Sequence, residues 1–275
     1  MQPIRNLIFD VGLFDGSDTA FYLRKGFRVV AVEARPDLCA QTRERFAQEI
    51  RRCTLTIVER AVWDKADERM PFYVRSGWSS AFRSSAERDG LSGDMLEVLT
   101  TTLRQLFGTF GVPHYLKIDI EGAEEIAVED LGRCAERPSF VSIEDPNGLI
   151  AERLHRLGYD RFQIVNQGYL GRVRCPKPSR EGNAVEATFD GKCSGLFGYD
   201  LPAERWVSFE RLNEQMGFWN RLRDAKVNPV FAYACRRFGK LTNRGWLIGR
   251  GWIDIHATTR RTLESINGMR SKIQH

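Results

Sequence analysis

The chain has 275 residues, of which 42% are hydrophobic and 28% charged, the proportions of an ordinary globular protein. No run of about 18 apolar residues occurs, which excludes a hydrophobic membrane-spanning helix. The first residues do not have the pattern of a secretion signal, and the cysteines are too widely spaced for a zinc ribbon. We therefore expect a cytoplasmic protein with reduced thiols and no membrane span.

Charge is unevenly distributed along the chain, whose net charge is +5. Residues 1–164 contain 22 Lys and Arg against 26 Asp and Glu, whereas residues 165–275 contain 19 against 10. The second part is therefore basic. Scattered basic residues of this kind form either a solvated surface or a face for an anionic partner, such as an acidic glycan or a nucleic acid.

Short apolar runs alternate with helix-like stretches from about residue 6 to residue 165. This alternation predicts β-α-β units and a doubly wound, mainly parallel α/β sheet. The predicted strands are 7–11, 28–33, 55–58, 70–74, 114–120, 140–144 and 162–165. The predicted helices are 19–25, 36–51, 96–107, 124–131 and 150–157.

The pattern changes after residue 165. Residues 166–200 are rich in Gly, Pro, Lys and Arg and predict irregular structure, residues 204–225 predict a helix, and residues 252–258 predict a strand. A long insertion in an α/β core is commonly functional. We predict a core over residues 1–165, an insertion or lid over 166–250, and a last strand and C-terminal tail over 251–275 that returns to the sheet.

A glycine-containing loop leaves the first strand and opens the first helix. Gly12 and Gly16 allow a tight turn and a close approach of a ligand to the backbone, and the helix start offers N–H groups to it. The spacing is D-x-G-x-x-x-G and not G-x-G-x-x-G, which favours S-adenosylmethionine over a nicotinamide cofactor with its pyrophosphate. The candidate cofactor contacts of this loop are Asp10, Gly12, Asp15, Gly16, Asp18 and Thr19.

Further cofactor contacts are expected at the ends of the second and third strands. Glu33 lies 23 residues after Asp10, where a carboxylate can accept hydrogen bonds from both hydroxyls of a ribose, and Ala34 follows it. The third strand is expected to continue into Ala61 and Val62, where the chain passes the adenine and offers apolar contact and backbone hydrogen bonds.

Acidic residues follow the fourth and fifth strands. Because side chains at i and i+2 of a strand point to one side, we expect Asp119 and Glu121 to face the crevice at the carboxyl ends of the strands together. Glu144 is expected close by, and His256 is expected beside the same ends. Asp119 is the candidate partner of the methionine ammonium group. The candidates for a catalytic base are, in order of preference, Glu121, His256 and Glu144, and no metal ion is predicted.

The sequence resembles the FkbM family of methyltransferases over about residues 6–165. The matching segments are Phe9-Asp10-Val11-Gly12 with Gly16 and Thr19, Val30-Ala31-Val32-Glu33, Ala61-Val62, Ser79-Ser80, and above all Leu116-Lys117-Ile118-Asp119-Ile120-Glu121-Gly122-Ala123-Glu124. The resemblance implies a class I, Rossmann-like methyltransferase fold, S-adenosylmethionine as donor, and an oxygen of a sugar, glycan or natural product as acceptor. It implies cofactor positions at Asp10, Gly12, Gly16, Glu33, Ala61 and Asp119, and Ser80 is added from its matching segment.

Three other functions stay open at this stage. One is a nucleic-acid methyltransferase that uses the basic insertion, although no N-P-P-Y-like tetrad follows the fourth strand. The others are an NAD-dependent sugar dehydrogenase or epimerase and a glycan-binding module without catalysis. The favoured reading is an O-methyltransferase with a small-molecule or glycan acceptor and without a nucleic-acid partner.

Overall fold

The computed structural model describes residues 2–75, 78–80, 94–145, 148–190, 193–224 and 252–265, with the side chains of 75, 78–80 and 219–224 left undescribed. The chain forms two compact units, Met1–Val141 and Ser142–His275. Within the described ranges every helix is too short or too polar to cross a membrane.

The described strands form two sheets, one of seven strands and one of four. The strands are β1 (Ile4–Val11), β2 (Arg28–Glu33), β3 (Leu55–Glu59), β4 (Ala61–Val62), β5 (Arg69–Arg75), β6 (Trp78–Ser80), β7 (Asp94–Thr101), β8 (Pro113–Ile118), β9 (Phe140–Glu144), β10 (Arg161–Asn166) and β11 (Ile253–Thr258). The large sheet has the order β10-β11-β9-β8-β1-β2-β3, and the small sheet has the order β4-β7-β5-β6.

Helices follow most strands of the large sheet. The described α-helices are α1 (Ser17–Arg24), α2 (Pro36–Arg45), α3 (Ala47–Arg51), α4 (Leu103–Phe110), α5 (Glu124–Arg133), α6 (Leu149–Arg156) and α7 (Phe209–Asp224). Strands β8, β1, β2 and β3 run parallel to one another. Their residues are largely buried, as expected for strands of a parallel sheet covered on both faces. The predicted mainly parallel α/β fold is confirmed.

Strand β11 belongs to the large sheet. Strand β11 pairs antiparallel with β10, with Arg161 opposite Thr258 and Asn166 opposite Ile253. Residues 225–250 lie outside the described residues, so the three-part division at residues 165 and 250 stays a prediction.

The predicted helix over 96–107 is wrong in its first half. Residues 94–101 form β7, which pairs antiparallel with β5, and helix α4 begins only at Leu103. Burial alternates along β7, with Val98 6% exposed and Leu99 39% exposed, which is the period of a strand. The Thr102 side chain then caps α4 by accepting a hydrogen bond from the backbone N–H of Gln105. This cap favours a helix that begins at Leu103, directly after the strand.

Two buried carboxylates order the irregular segment after β10. Asp200, which is 2% exposed, accepts hydrogen bonds from the backbone N–H groups of Arg180 and Glu181. Glu181 in turn accepts one from the backbone N–H of Tyr199 at 2.8 Å. A buried N–H needs such a partner, so these side chains replace the hydrogen bonds that regular secondary structure would supply.

A stability prediction follows from the contact between α4 and α5. Fully buried Asp130 accepts hydrogen bonds from the backbone N–H of Arg104 at 3.0 Å and from its Nε at 2.8 Å. We expect Asp130→Ala to lower the free energy of unfolding by about 2–3 kcal/mol, because both hydrogen bonds from the exposed Arg104 to a charged, buried acceptor are lost. Exposed Glu129 pairs with Arg133 on the same helix, and Glu129→Ala should cost less than about 0.5 kcal/mol. Urea unfolding measures both, and equal losses would contradict this assignment.

Candidate functional site

The loop after β1 and the loop after β8 lie in direct contact. Gly12 has a φ of 93°, and a Cβ built there would lie 1.8 Å from the backbone oxygen of Asp119. The backbone N–H of Asp119 donates to the Val11 carbonyl at 2.9 Å, and that of Gly12 donates to the Val32 carbonyl at 2.9 Å. Only glycine satisfies both the left-handed backbone and the lack of space at this crossing.

Glu33 is held at the end of β2 by backbone hydrogen bonds. Its Oε2 accepts from the N–H of Phe14 at 3.0 Å and its Oε1 from the N–H of Arg35 at 2.9 Å. Burial raises the pKa of the Glu33 carboxyl, and these hydrogen bonds oppose that rise. Each carboxylate oxygen can accept a second hydrogen bond. The fixed carboxylate therefore has the capacity to receive ribose hydroxyls, and that role stays a prediction.

A single ammonium group joins three carboxylates beneath the glycine loop. Lys117 Nζ lies 3.3 Å from Asp10 Oδ1, 3.3 Å from Asp18 Oδ2 and 3.5 Å from Asp119 Oδ2. It also donates to the Gly12 carbonyl at 3.2 Å. We call Lys117, Asp10, Asp18 and Asp119 the ammonium–carboxylate cluster.

Burial and charge oppose each other in this cluster. Burial raises the pKa of Asp10, whereas Lys117 and a 2.6 Å hydrogen bond from the Thr19 hydroxyl act to lower it. Burial by itself would lower the pKa of Lys117. The attraction of Asp10, Asp119 and Asp18 outweighs it and raises that pKa well above its usual value. Lys117 is therefore charged across the physiological pH range.

The loop after β8 differs from its prediction. Strand β8 ends at Ile118 and not at residue 120, and Glu121 takes a left-handed backbone with a φ of 53°. The argument that Asp119 and Glu121 share one side of a strand is therefore wrong, because a turn separates them. The Asp119 side chain is 35% exposed, and Glu121 lies exposed on the turn.

Glu124 fixes this turn. Its carboxylate accepts from the backbone N–H of Gly122 at 2.8 Å and from that of Ile120 at 3.3 Å. As the first residue of α5 it also places negative charge at the start of a helix, where such charge is favourable. Burial raises the pKa of its carboxyl, partly against these backbone hydrogen bonds. Glu124 thus holds the backbone that presents Asp119 and Glu121.

The remaining predicted cofactor contacts lie around this framework. Asp15 accepts from the N–H of Ser17 at 3.0 Å at the start of α1, and a Cβ on Gly16 would lie 2.9 Å from the Phe46 ring. Ala34 and Ala61 pack in a buried cluster with Phe72 and Val98.

The chain does not continue β3 through Ala61 and Val62, as the adenine argument assumed. These two residues form β4, which pairs with β7 in the small sheet. Contact of Ala34, Ala61 and Val62 with adenine stays a prediction, and the side chain of Ser80 lies outside the described residues.

The second unit contains the two other predicted catalytic residues. Glu144 ends β9 and is half-buried, and its role stays a prediction. His256 lies in the middle of β11 opposite Gln163, is 1% exposed, and has its pKa lowered by burial to about 3. The expectation that His256 lies at the carboxyl ends of the strands is therefore wrong. A buried, neutral imidazole within a strand has no access to an acceptor, and we no longer propose it as the base.

Lys117 is the site residue that the sequence interpretation missed. It lies two residues before Asp119 in the most specific segment of the chain, and the parallel register places it directly beside Asp10. The i and i+2 rule applied to Lys117 and Asp119, combined with a β1–β8 pairing, would have found the contact.

The match to a protein-family model points to methyl transfer. Residues 10–160, more than half of the chain, match the family model of the methyltransferase FkbM domain. A precorrin-6y C5,15-methyltransferase from Geobacter metallireducens is 15% identical over 69% of this chain and 76% of its own, with a TM-score of 0.36. A SAM-dependent methyltransferase from Geobacter sulfurreducens, solved with S-adenosylhomocysteine, is 15% identical over 94% and 86%, with a TM-score of 0.33. The search of curated proteins gave no significant match.

The crossing at Gly12 gives a direct test of the site. Gly12→Ala should lower the free energy of unfolding by more than about 2 kcal/mol, because its Cβ meets the Asp119 backbone and its φ is unfavourable for alanine. Gly108 in α4 has nothing within 4 Å of a built Cβ, and Gly108→Ala should raise stability by about 0.5–1 kcal/mol. Chemical unfolding measures both changes. A Gly12→Ala protein as stable as the wild type would contradict the described crossing.

The buried imidazole of His256 predicts a pH dependence of stability. Because its pKa in the folded protein is about 3 and that of an unfolded histidine is about 6.5, unfolding takes up a proton below pH 6.5. This contribution to stability is complete above pH 6.5 and is lost as the pH falls toward 3. It should amount to about 2 kcal/mol between pH 7 and pH 5.

Urea unfolding at the two pH values should show a smaller difference for His256→Asn than for the wild type. The exposed His155 is the matched control, and His155→Asn should keep the difference of the wild type. An unchanged difference in His256→Asn would contradict burial of a neutral ring.

Proposed function

Since this chain belongs to the methyltransferase FkbM domain family, we propose that it transfers a methyl group from S-adenosylmethionine to a hydroxyl oxygen of a small-molecule or glycan acceptor. The family assignment supplies the reaction class and the donor. The observation that supports an oxygen acceptor is the exposed carboxylate of Glu121, on a turn whose backbone is fixed by Glu124. A carboxylate in such a position can take the proton of a hydroxyl group.

The donor set of the first unit fits S-adenosylmethionine. The Asp119 carboxylate is partly exposed above a buried ion pair, which suits the ammonium group of the methionine part. The Glu33 carboxylate is fixed by two backbone N–H groups, which suits the two ribose hydroxyls. We therefore assign Asp119 and Glu33 to the cofactor, with Gly12 and Gly16 shaping the loop between them.

When bound, the cofactor supplies a methyl group that its positively charged sulfur already activates. The protein must mainly align the acceptor, and alignment of this kind can contribute about 7–11 kcal/mol. In the proposed step the acceptor oxygen forms a bond to the methyl carbon while the carbon–sulfur bond breaks. Glu121 takes the hydroxyl proton, and S-adenosylhomocysteine leaves as a neutral thioether.

Two aromatic side chains of the second unit are exposed and are candidates for acceptor contact. Trp252 at the start of β11 is 67% exposed and Phe218 on α7 is 39% exposed. Exposed aromatic faces of this kind can stack on the apolar face of a sugar ring. In this proposal residues 166–250 form an acceptor-side insertion or lid, of which residues 225–250 lie outside the described residues.

The acceptor class is tested by following S-adenosylhomocysteine formation with S-adenosylmethionine and a panel of acceptors. The panel holds oligosaccharides, free sugars, polyol and phenolic natural products, primary amines, and RNA. The proposal expects turnover only with hydroxyl acceptors, with a product that is heavier by one methylene and whose methoxy group is located by NMR. Methylation of RNA bases or of amines, without hydroxyl products, would overturn it.

The base assignment predicts the effect of one substitution. Glu121→Gln keeps the size of the side chain but removes the proton acceptor, so kcat should fall by about 10²–10⁴-fold, while the Kd for S-adenosylhomocysteine stays within about twofold of the wild type. Glu125 is a nearby exposed glutamate on α5, and Glu125→Gln should keep the kcat of the wild type. Full turnover in Glu121→Gln would rule out this base.

A further inference from the structure

The ammonium–carboxylate cluster contains a group that the proposed reaction has not yet used. Lys117 is 6% exposed, and of its three carboxylate partners Asp10 is 0% exposed, Asp18 is 5% exposed and Asp119 is 35% exposed. The lysine itself is therefore shielded from a ligand. Only Asp119 offers a carboxylate at the surface of the cluster, so any effect of Lys117 on a ligand acts through Asp119.

We propose that Lys117 is a positioning residue that fixes the Asp119 carboxylate toward the ammonium group of the cofactor and so makes the site select ligands with an aminoacyl tail. This inference rests on the proposed assignment of Asp119 to the cofactor. Lys117 Nζ holds Asp119 Oδ2 at 3.5 Å. The lysine is also bound to Asp10, Asp18 and the Gly12 carbonyl. Its ammonium group therefore has a fixed position, and it holds the Asp119 carboxylate there.

The charge of the cluster supports selection of a cationic tail. Three carboxyl groups surround one ammonium group, so the formal charge of the cluster is −2, which favours a further cation at the exposed Asp119. The Gly12 carbonyl, bound by the same lysine at 3.2 Å, belongs to the loop that crosses Asp119. One interaction thus fixes both the charged group and the backbone beside it, and fixed groups lose less entropy when a ligand binds.

The groups that face Lys117 come from each element packed around it. They are Asp10 on β1, Asp18 on α1, Asp119 after β8, and Tyr115 on β8. Tyr22 on α1 lies next to the cluster, and burial together with the Asp18 charge raises its pKa well above its usual value. Without the lysine, the Asp119 carboxylate loses the ion pair that holds it in place, and a carboxylate without this fixed position binds an ammonium group less well.

The test compares two probes that differ in the tail. S-adenosylhomocysteine carries the ammonium and carboxylate groups, whereas 5′-methylthioadenosine has the same nucleoside thioether without them. Calorimetry gives the Kd of both for the wild type, for Lys117→Met and for Lys65→Met, a control that removes an exposed lysine paired with Glu68.

Lys117→Met should raise the Kd for S-adenosylhomocysteine at least about tenfold at pH 7, which corresponds to the loss of one charge-assisted hydrogen bond. It should change the Kd for 5′-methylthioadenosine less than about twofold. The wild type and Lys65→Met should keep the same preference for S-adenosylhomocysteine over 5′-methylthioadenosine.

Each other outcome has a definite meaning. Equal weakening of both probes, or unchanged selectivity between them, would overturn the positioning role of Lys117. If the wild type bound neither probe, the cofactor placement itself would fail, which is a different result.

If Lys117→Met does not fold, Lys117→Met combined with Asp18→Asn replaces it, since this pair keeps the formal charge at −2. The double variant should still lose selectivity for the aminoacyl tail. Selectivity equal to that of the wild type would show that net charge alone matters and would overturn the proposal.

Discussion

One buried ammonium group shared among three carboxylates determines the geometry of the site. Charges removed from water are costly unless they are paired, so the buried Asp10 and Asp18 must lie within reach of Lys117, which also pairs with Asp119. These residues come from the end of β1, the first turn of α1 and the end of β8. The ion pairs with Lys117 thereby fix the ends of β1 and β8 and the start of α1 relative to one another. They also hold the partly exposed Asp119 where a ligand can reach it.

Carboxylates that bind backbone N–H groups recur throughout the structure. Glu33, Glu124 and Asp200 each accept two such hydrogen bonds, and Asp145 accepts them from Gly148 and Ala151. Each of these carboxylates fixes a turn, a loop or the start of a helix, where the backbone N–H groups have no partner within a strand or helix. Acidic residues near strand ends therefore fall into two groups. Buried ones such as Glu33 and Glu124 bind backbone N–H groups, whereas Glu121 is exposed on the turn that Glu124 fixes.

The sequence predicted the sheet well and the site only in part. Strands β2 and β9 have the predicted bounds, because continuous β-branched and apolar runs bounded by polar residues leave little choice of structure. Strand β7 was missed because its leucines also fit a helical period, and only its pairing with β5 decides between the two. The turn at Glu121 and the depth of His256 depend on tertiary contacts. Lys117 needed the register of β1 against β8, which no local pattern contains.

The crossing of Gly12 over the Asp119 carbonyl bears on how such a protein can diverge. The two loops are far apart in the chain, yet a methyl group at position 12 would fit only if the backbone at Asp119 moved away. Exposed residues around the site can change without disturbing this junction, whereas Gly12 and the backbone at Asp119 must be inherited as a pair. Related chains that lack the glycine should therefore carry a compensating displacement after their fourth parallel strand.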